Sequence, residues 1–254
     1  MEGGPAPGPL QARELDFETR FRVEVPVGRL EQADRHVRVD DSGADASAAV
    51  RARVNGLYPR LGKRAFDLLF SAAFLLFPGV WLFLLIGLAI RIDSRGPVFF
   101  RQKRVGVDGR AFTCLKFRTM TYDPEARFVQ AKKNDCRVTR VGAFLRRSNL
   151  DELPQFINVL WGDMSVIGPR PHVPELDTVF KDVVPGYGLR NMVKPGVSGL
   201  AQISGCRGET RSVREMTHRI RFDLFYCRNV SLAMDFKLVW LTVLCALRGD
   251  EKAY

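Results

Sequence analysis

Histidine and cysteine are sparse and scattered in this chain, and their pattern excludes several kinds of chemistry. The three histidines, His36, His172 and His218, share no ligand spacing, so a zinc centre is not supported. Cys114, Cys136, Cys206, Cys227 and Cys245 are odd in number, widely spaced and without a CxxC pair. They read as reduced thiols in a cytosolic compartment, not as a disulfide framework or a metal site. No basic start followed by an apolar core lies near Met1, which argues against a cleaved signal peptide. The chain also lacks aromatics interleaved with its arginines and any recognisable nucleic-acid module, so nucleic acid is not expected as a partner. Nothing points to a Ser-His-Asp triad.

Positive charge, by contrast, is plentiful: 39 Lys and Arg face 28 Asp and Glu, a net +11. Residues 1–57 are themselves net acidic, so the excess belongs to the remainder. A basic surface of this kind attracts nucleic acid, anionic lipid or phosphorylated small molecules, and charge alone does not choose among them. The first 57 residues open with GGPAPGP and hold few apolar patterns, so they are expected to be a disordered extension. Within them FRVEVPV at 21–27 alternates like a short strand, interrupted by Pro26.

From Leu68 to Ile90 the chain carries no charge. That exceeds the roughly 18 apolar residues that flag a membrane segment, although a buried core helix passes the same test. Pro78 and Gly79 fall near its centre, where a break or sharp kink is expected. Lys63 and Arg64 precede the run; Arg91, Arg95, Arg101, Lys103 and Arg104 follow it. Basic flanks on both sides favour keeping both ends on the cytoplasmic face, as a helix-break-helix hairpin that enters one leaflet and returns would do. Residues 58–95 are therefore read as a re-entrant anchor and 96–254 as a cytosolic domain.

That domain is expected to be α+β and mostly helical. GPVFFRQKRVGVDGRAFTCLKFRTM predicts a β-hairpin turning at Asp108-Gly109, with Lys116 and Arg118 at the end of its second strand. Residues 141–161 read as helical, with Leu153, Phe156, Ile157 and Leu160 on one face. Leu232, Phe236, Val239, Trp240, Val243, Leu244 and Leu247 form a second stripe, which fits a core-packing helix or an amphipathic helix in the membrane interface.

Three tracts could carry chemistry. Asp151 and Glu152 follow Arg146 and Arg147, and Ser148 or Asn149 could cap a helix that would hold both acids in its first turn. Such a pair can hold a divalent cation against a diphosphate, or one member can attack phosphorus. Taken alone, it is equally an ordinary solvated pair. Pro169-Arg170-Pro171 fixes the backbone on both sides of one arginine, which suits a grip on phosphate or a base edge but also describes a plain loop. In KPGVSGLAQISGCRGET the glycines permit tight turns around Arg207.

Taken together, KRAFD, GPVFFRQKRVG, KFRTM, LDELPQFINVLWGDMSVIGPRP, PGVSGLAQISG and YCRNVSLAMDFKLV resemble the monotopic polyprenyl-phosphate phosphoglycosyl transferases, also called bacterial sugar transferases, from about Lys63 to Tyr254. The resemblance implies a re-entrant anchor bent at Pro78; family members often have Ser before that proline, where this chain has Phe77. It implies Asp151 as a nucleophile that also binds Mg²⁺, and Glu152 as its partner carboxylate. Pro169, Arg170 and Pro171 would recognise uridine, and Lys116, Arg118, Arg146, Arg147 and Arg207 would contact phosphate. The implied partners are a UDP-sugar, undecaprenyl phosphate and membrane lipid, at the cytoplasmic face of a bacterial inner membrane; a homo-oligomer is left open. The C-terminal third resembles the subgroup that begins exopolysaccharide repeats with glucose 1-phosphate, with galactose 1-phosphate the alternative. A non-catalytic scaffold is disfavoured by the retention of both Asp151 and Glu152.

Overall fold

In the computed structural model, residues 43–123, 135–206, 210 and 212–248 are described. The strand expected at 21–27 and Arg207 lie outside them. The boundary expected near residue 57 falls earlier, because the compact unit begins at Ser42. Its first helix, α1 (Gly43–Val54), is docked: Val50 is fully buried, and Arg53 Nε donates to the carbonyl of Val230 at 2.9 Å.

A single helix of 36 residues, Tyr58–Asp93, follows, long and apolar enough to cross a membrane. Its regular portions are α2 (Lys63–Phe74) and α3 (Val80–Asp93). Between them Leu75–Gly79 widens into a π turn with right-handed backbone angles on both sides, so the expected break at Pro78 is not there. The widening has a local cause. Pro78 offers no N–H to Phe74 and crowds its carbonyl. A Cβ on Gly79 would lie 2.7 Å from that oxygen, so the glycine makes room for it. The disturbance is absorbed as a bulge, the usual way an α-helix accommodates one misplaced residue.

Then come the hairpin strands β1 (Phe99–Val105) and β2 (Ala111–Phe117), antiparallel with Val105 opposite Ala111. Asp108 and Gly109 turn the chain in the left-handed region (φ 54° and 75°), as the Asp-Gly pair predicted. The helix expected over 141–161 is divided into α4 (Arg140–Ser148), a 3₁₀ turn (Leu150–Glu152) and α5 (Gln155–Trp161). Asn149, at φ 58°, ends α4, and Pro154 precedes the first turn of α5. The rest is β3 (Ser165–Ile167), α6 (Pro174–Phe180), a 3₁₀ turn (Tyr187–Met192), β4 (Gly196–Ser198), α7 (Leu200–Ile203), α8 (Val213–Asn229) and α9 (Leu232–Arg248). A short parallel pairing of β3 with β4 was not anticipated. The fold is thus mostly helical, with two two-stranded sheets among the described residues.

Apolar side chains from α1, β2, α5, β3, α8 and α9 meet in one core that includes Val50, Phe112, Phe156, Met164, Tyr226 and Leu238. The long helix is joined to this core along its first half and to a second apolar cluster at its far end. Near its start, Lys63 Nζ lies 2.8 Å from Asp235 Oδ2, and Asp67 accepts from the Ser165 hydroxyl and the Val166 amide, each at 2.9 Å. Phe74 stacks on Phe156 at 4.4 Å. At the other end Ile86 and Ile90 pack on Phe117 and Leu145, and Asp93 caps Val141 N at 2.9 Å. Its outward face is bare, with Leu69, Leu76, Phe77, Trp81, Leu85 and Leu88 exposed, while Phe74 and Leu75 pack inward.

On α9 the expected stripe divides. Val239 packs against the core, beside Leu238, which is buried but lies outside the stripe, whereas Leu232, Phe236, Trp240 and Val243 face outward. Phe236 sits edge-on to Phe66 of α2, with centroids 5.1 Å apart, so the exposed face of α9 continues onto the long helix.

Asp235 is fully buried and also takes hydrogen bonds from the Tyr58 and Tyr226 hydroxyls at 2.5 and 2.8 Å. Replacing Lys63 by Met strands that charge and should cost about 3–5 kcal/mol, the usual loss when one half of a buried pair is removed. Adding Asp235→Leu should restore most of it. Chemical denaturation in detergent reads both, and equal losses in the single and double variants would refute the assignment of the pair as the helix's mount.

Candidate active site

Two carboxylates and a set of cations converge where the hairpin, the acid turn and the Pro-Arg-Pro stretch meet. The acid turn is pinned to the hairpin by a side chain. Asn158 of α5, wholly buried, accepts from Leu115 N at 2.9 Å and donates to Thr113 O at 2.8 Å. Its amide thereby satisfies the open edge of β2 as a third strand would. This register brings Lys116 Nζ to 2.6 Å from Glu152 Oε1 and 3.9 Å from Asp151 Oδ2.

Neither Ser148 nor Asn149 caps the acid turn with its side chain, contrary to expectation. Ser148 Oγ instead donates back to Phe144 O at 2.9 Å, while Asn149 supplies the left-handed link between α4 and the turn.

Arg170 reaches Glu152 from the opposite side with both arms of its guanidinium, Nη2 to Oε1 at 2.8 Å and Nη1 to Oε2 at 3.1 Å. Its loop is pinned at every carbonyl. Pro169 O accepts from Gly196 N at 2.9 Å, Arg170 O from Arg190 Nη2, and Pro171 O from Arg104 Nη1 at 3.2 Å. The first of these needs glycine, because a Cβ on Gly196 would lie 2.1 Å from Gly168 N. A shallow cleft of about 10 Å³, room for about one water, lies along this stretch, lined in part by Gly106, Arg170, Arg190 and Asn191.

The two acids differ sharply. Burial pushes Asp151 up to about 6, against the pull of Lys116, and the Glu152 charge adds to the rise. Burial acts on Glu152 in the same sense, but the charges and hydrogen bonds of Arg170 and Lys116 outweigh it and hold this carboxyl well below its ordinary range. Asp151 is therefore a comparatively basic carboxylate, still largely ionised at neutral pH, with no hydrogen bond among the described residues. Glu152 is a fixed anion in a cationic clamp. Such a pair is suited to displacement at phosphorus, with Asp151 free to attack and cations beside it to take up charge.

Of the other expected phosphate contacts, Arg146 lies near enough to lower the Asp151 pKa, and its Nε donates to Thr119 Oγ1 at 2.8 Å. Arg147 is exposed on α4 and has no hydrogen bond or ion pair among the described residues. Arg118 is buried; its guanidinium donates to the carbonyls of Ile90, Ser94 and Arg95, where α3 ends. It caps that helix and is not joined to the carboxylates.

Sequence reasoning missed Asn158, Arg104, Arg190 and Asp223. Arg190 Nε lies 2.9 Å from Asp223 Oδ2, with both side chains 2% exposed. Arg219, one turn before Asp223, is lowered to about 10, by burial first and then by Arg170. The spacing of Arg219 and Asp223 at i and i+4 on α8 was the one available signal.

The Asp151–Glu152 turn and the pinned arginine are set on a domain that carries one helix long and apolar enough to cross a membrane. The chain belongs to the bacterial sugar transferase family, whose sequence profile matches residues 58–249. It is 48% identical over 182 residues to the UDP-glucose:undecaprenyl-phosphate glucose-1-phosphate transferase of Klebsiella pneumoniae, covering 71% of this chain and 39% of that protein. An Escherichia coli protein of the same name is 49% identical over 185 residues, 72% of this chain and 40% of that one. Another from Caulobacter vibrioides is 44% identical over 204 residues, 78% and 76% of the two chains. The aligned part of this chain thus spans about two fifths of the first two relatives' length.

Because the Asp151 pKa is raised on folding, the group favours the folded state below its unfolded value of 3.8 and loses that contribution as pH rises through about 6. At pH 8 the buried carboxylate should cost up to about 3 kcal/mol, from roughly two units at 1.36 kcal/mol each. Asp151→Asn should therefore raise stability by about 1–3 kcal/mol at pH 8 and by about half as much at pH 5. Thermal melts of the two proteins at both pH values test this. A destabilised variant at pH 8 would mean that the carboxylate is compensated by its cations.

Proposed function

We propose that the chain transfers glucose 1-phosphate from UDP-glucose to undecaprenyl phosphate, releasing UMP, as the first membrane step of exopolysaccharide synthesis. The observation that carries this reading is the division of labour between the acids: Asp151 is half-buried, raised and without a hydrogen bond among the described residues, while Glu152 beside it is clamped by Lys116 and Arg170.

In the first half-reaction an Asp151 oxygen attacks the phosphorus next to the sugar. The bond from that phosphorus to the oxygen bridging the two phosphates breaks, and UMP leaves with that oxygen. A glucose-phosphoryl group then remains on Asp151. In the second, an oxygen of undecaprenyl phosphate attacks the same phosphorus, the bond to Asp151 breaks, and the carboxylate is regenerated. Lys116 and Arg146 are placed to offset charge on the reacting phosphate, and Arg170, beside the cleft, to hold the nucleotide.

Glu152 is a poor base while both cations hold it. As the diphosphate draws Arg170 and Lys116 away, its affinity for a proton rises. It can then take the remaining proton of the acceptor phosphate, whose second pKa is about 6.

Mg²⁺ fits this arrangement in a limited way. Among the described residues no three His, Cys, Asp or Glu side chains form a cluster, and both Glu152 oxygens are taken by cations. Asp151 alone would hold the ion, with the diphosphate supplying further oxygens, as is common for Mg²⁺ at phosphates. Bound there, it would neutralise the diphosphate.

The anchor is read as re-entrant. What supports this is the attachment of both ends of the 36-residue helix to one domain, with Leu153 touching the core at each end. A straight helix of that length would be about 54 Å long, well over a hydrocarbon core of about 30 Å. With both ends on one domain, a bend at the Pro78 bulge would let the apolar outer face enter and leave through the same leaflet. The exposed Phe236 and Trp240 of α9, beside Lys237, suit the adjoining interface. This reading places the domain on the cytoplasmic face of a bacterial inner membrane.

Purified protein given a panel of UDP-sugars with undecaprenyl phosphate should release UMP with UDP-glucose by ping-pong kinetics; another preferred sugar would revise the substrate. Asp151→Asn should abolish UMP release even without acceptor, whereas Glu152→Gln should still form the adduct and slow overall turnover about 10²–10⁴-fold. Substantial turnover by Asp151→Asn would remove the covalent step. Cysteines placed at Arg60 and Ser94 should both resist an impermeant reagent added outside the cell, and labelling of one of them would make the helix a true span.

A further inference from the structure

The side chain that sets the aim of Arg170 is one that the proposed chemistry does not use. Pro169 and Pro171 fix their own φ angles, and a residue before proline is restricted to extended backbone. That leaves the φ angle of Arg170 the looser of its two, with a range of about 80°. This angle decides where the Arg170 carbonyl points, and with it how the guanidinium is carried relative to Glu152 and the cleft. Arg190 Nη2 donates to that carbonyl. The other two arms of the Arg190 guanidinium are also held, Nε by Asp223 at 2.9 Å and Nη1 by His172 Nδ1 at 2.8 Å.

Since an arginine can only donate, Nδ1 of His172 accepts, and the imidazole proton lies on Nε2. Burial, followed by the Arg190 charge, drives the imidazole well below its usual pKa, so it is neutral and fit for that role. The Tyr187 hydroxyl, 2.6 Å from the same Nδ1, steadies the ring. Arg190 is 3% exposed and comes from the 3₁₀ turn Tyr187–Met192; Asp223 comes from α8. Two distant elements therefore converge on one carbonyl of the Pro-Arg-Pro stretch.

We propose that Arg190, braced by Asp223 and His172, is a positioning residue that sets nucleotide affinity by fixing the backbone from which Arg170 reaches. The inference rests on the proposed role of Arg170 in holding the nucleotide, and it predicts how that affinity responds to changes elsewhere. A residue that merely fills the core would lower stability without a selective effect on nucleotide binding. A residue that acts through Arg170 should lose its effect when Arg170 is gone.

The test uses the full chain in detergent and two independent readouts: the Kd for UDP by calorimetry, and UMP release from UDP-glucose with undecaprenyl phosphate. Arg190→Gln with Asp223→Asn removes both charges together. Arg190→Lys keeps a charge for Asp223 but lacks the fork that reaches the Arg170 carbonyl at the same time. Each variant that melts near the wild-type temperature should bind UDP about tenfold more weakly and show a comparable rise in KM, with kcat within about threefold. In an Arg170→Ala background the same changes should add nothing further to the Kd. Unchanged UDP affinity in the folded Arg190→Lys protein, or losses that add to that of Arg170→Ala, would overturn the inference. These results are separable from the reaction itself: absent turnover with the non-additive loss of UDP affinity would sustain the positioning role and refute the transfer, and normal turnover with unaltered affinity would do the reverse.

Discussion

Glu152 is held by Lys116 from the hairpin on one side and by the fork of Arg170 on the other, at distances between 2.6 and 3.1 Å. Much of the domain serves to bring those groups together. The hairpin register delivers Lys116, the Asn158 amide fastens the acid turn to the hairpin edge, and three pinned carbonyls deliver Arg170. Asp151 owes its distinct character first to burial, which the clamp leaves unrelieved. With both cations drawn to Glu152, the neighbouring carboxylate keeps a long contact of 3.9 Å and a raised pKa. Two adjacent acids on one turn are thereby given opposite proton affinities, the general way a site obtains separate roles from like groups.

Local, consecutive features were the legible ones. Asp151-Glu152, Pro169-Arg170-Pro171, the Asp108-Gly109 turn and the apolar run are each contained in a few residues or in one continuous stretch; the turn falls where expected and the apolar run is helical, but without its break at Pro78, and the acids sit on an uncapped 3₁₀ turn. What escaped notice depends on long-range placement. Asn158 acts on β2 from over 40 positions away, and Arg190 on Asp223 from 33. A lone polar residue in an apolar helix or loop gives no sign of the group it meets. Arg118 was misread for the same reason. Its neighbour Lys116 does face the acids, but Arg118 lies beside the end of α3, where helix carbonyls without partners draw a donor. The division of the 141–161 helix follows from Pro154 and Asn149, whose local signals were outweighed by an apolar periodicity running across them.

The basic excess seen in composition is also explained in part. Arg104, Arg170 and Arg219 are crowded enough that burial and mutual repulsion lower Arg104 and Arg219 from their usual pKa. Like charges brought together out of water are unfavourable for folding. Such an arrangement is typical of sites where stability is set against function.

The mount of the long helix has a consequence for how the chain is made. Lys63 and Asp235 are 172 residues apart in sequence. At a synthesis rate of about 5–20 residues per second, the helix leaves the ribosome roughly 10–30 s before its partner exists. During that interval Phe117, Leu145, Phe156 and Ser165 are made in turn, and only the buried carboxylate of the mount is missing. The contacts nearer in sequence can form first, and the ion pair at the head of the helix is the last part of its seat to close, when the chain is almost complete.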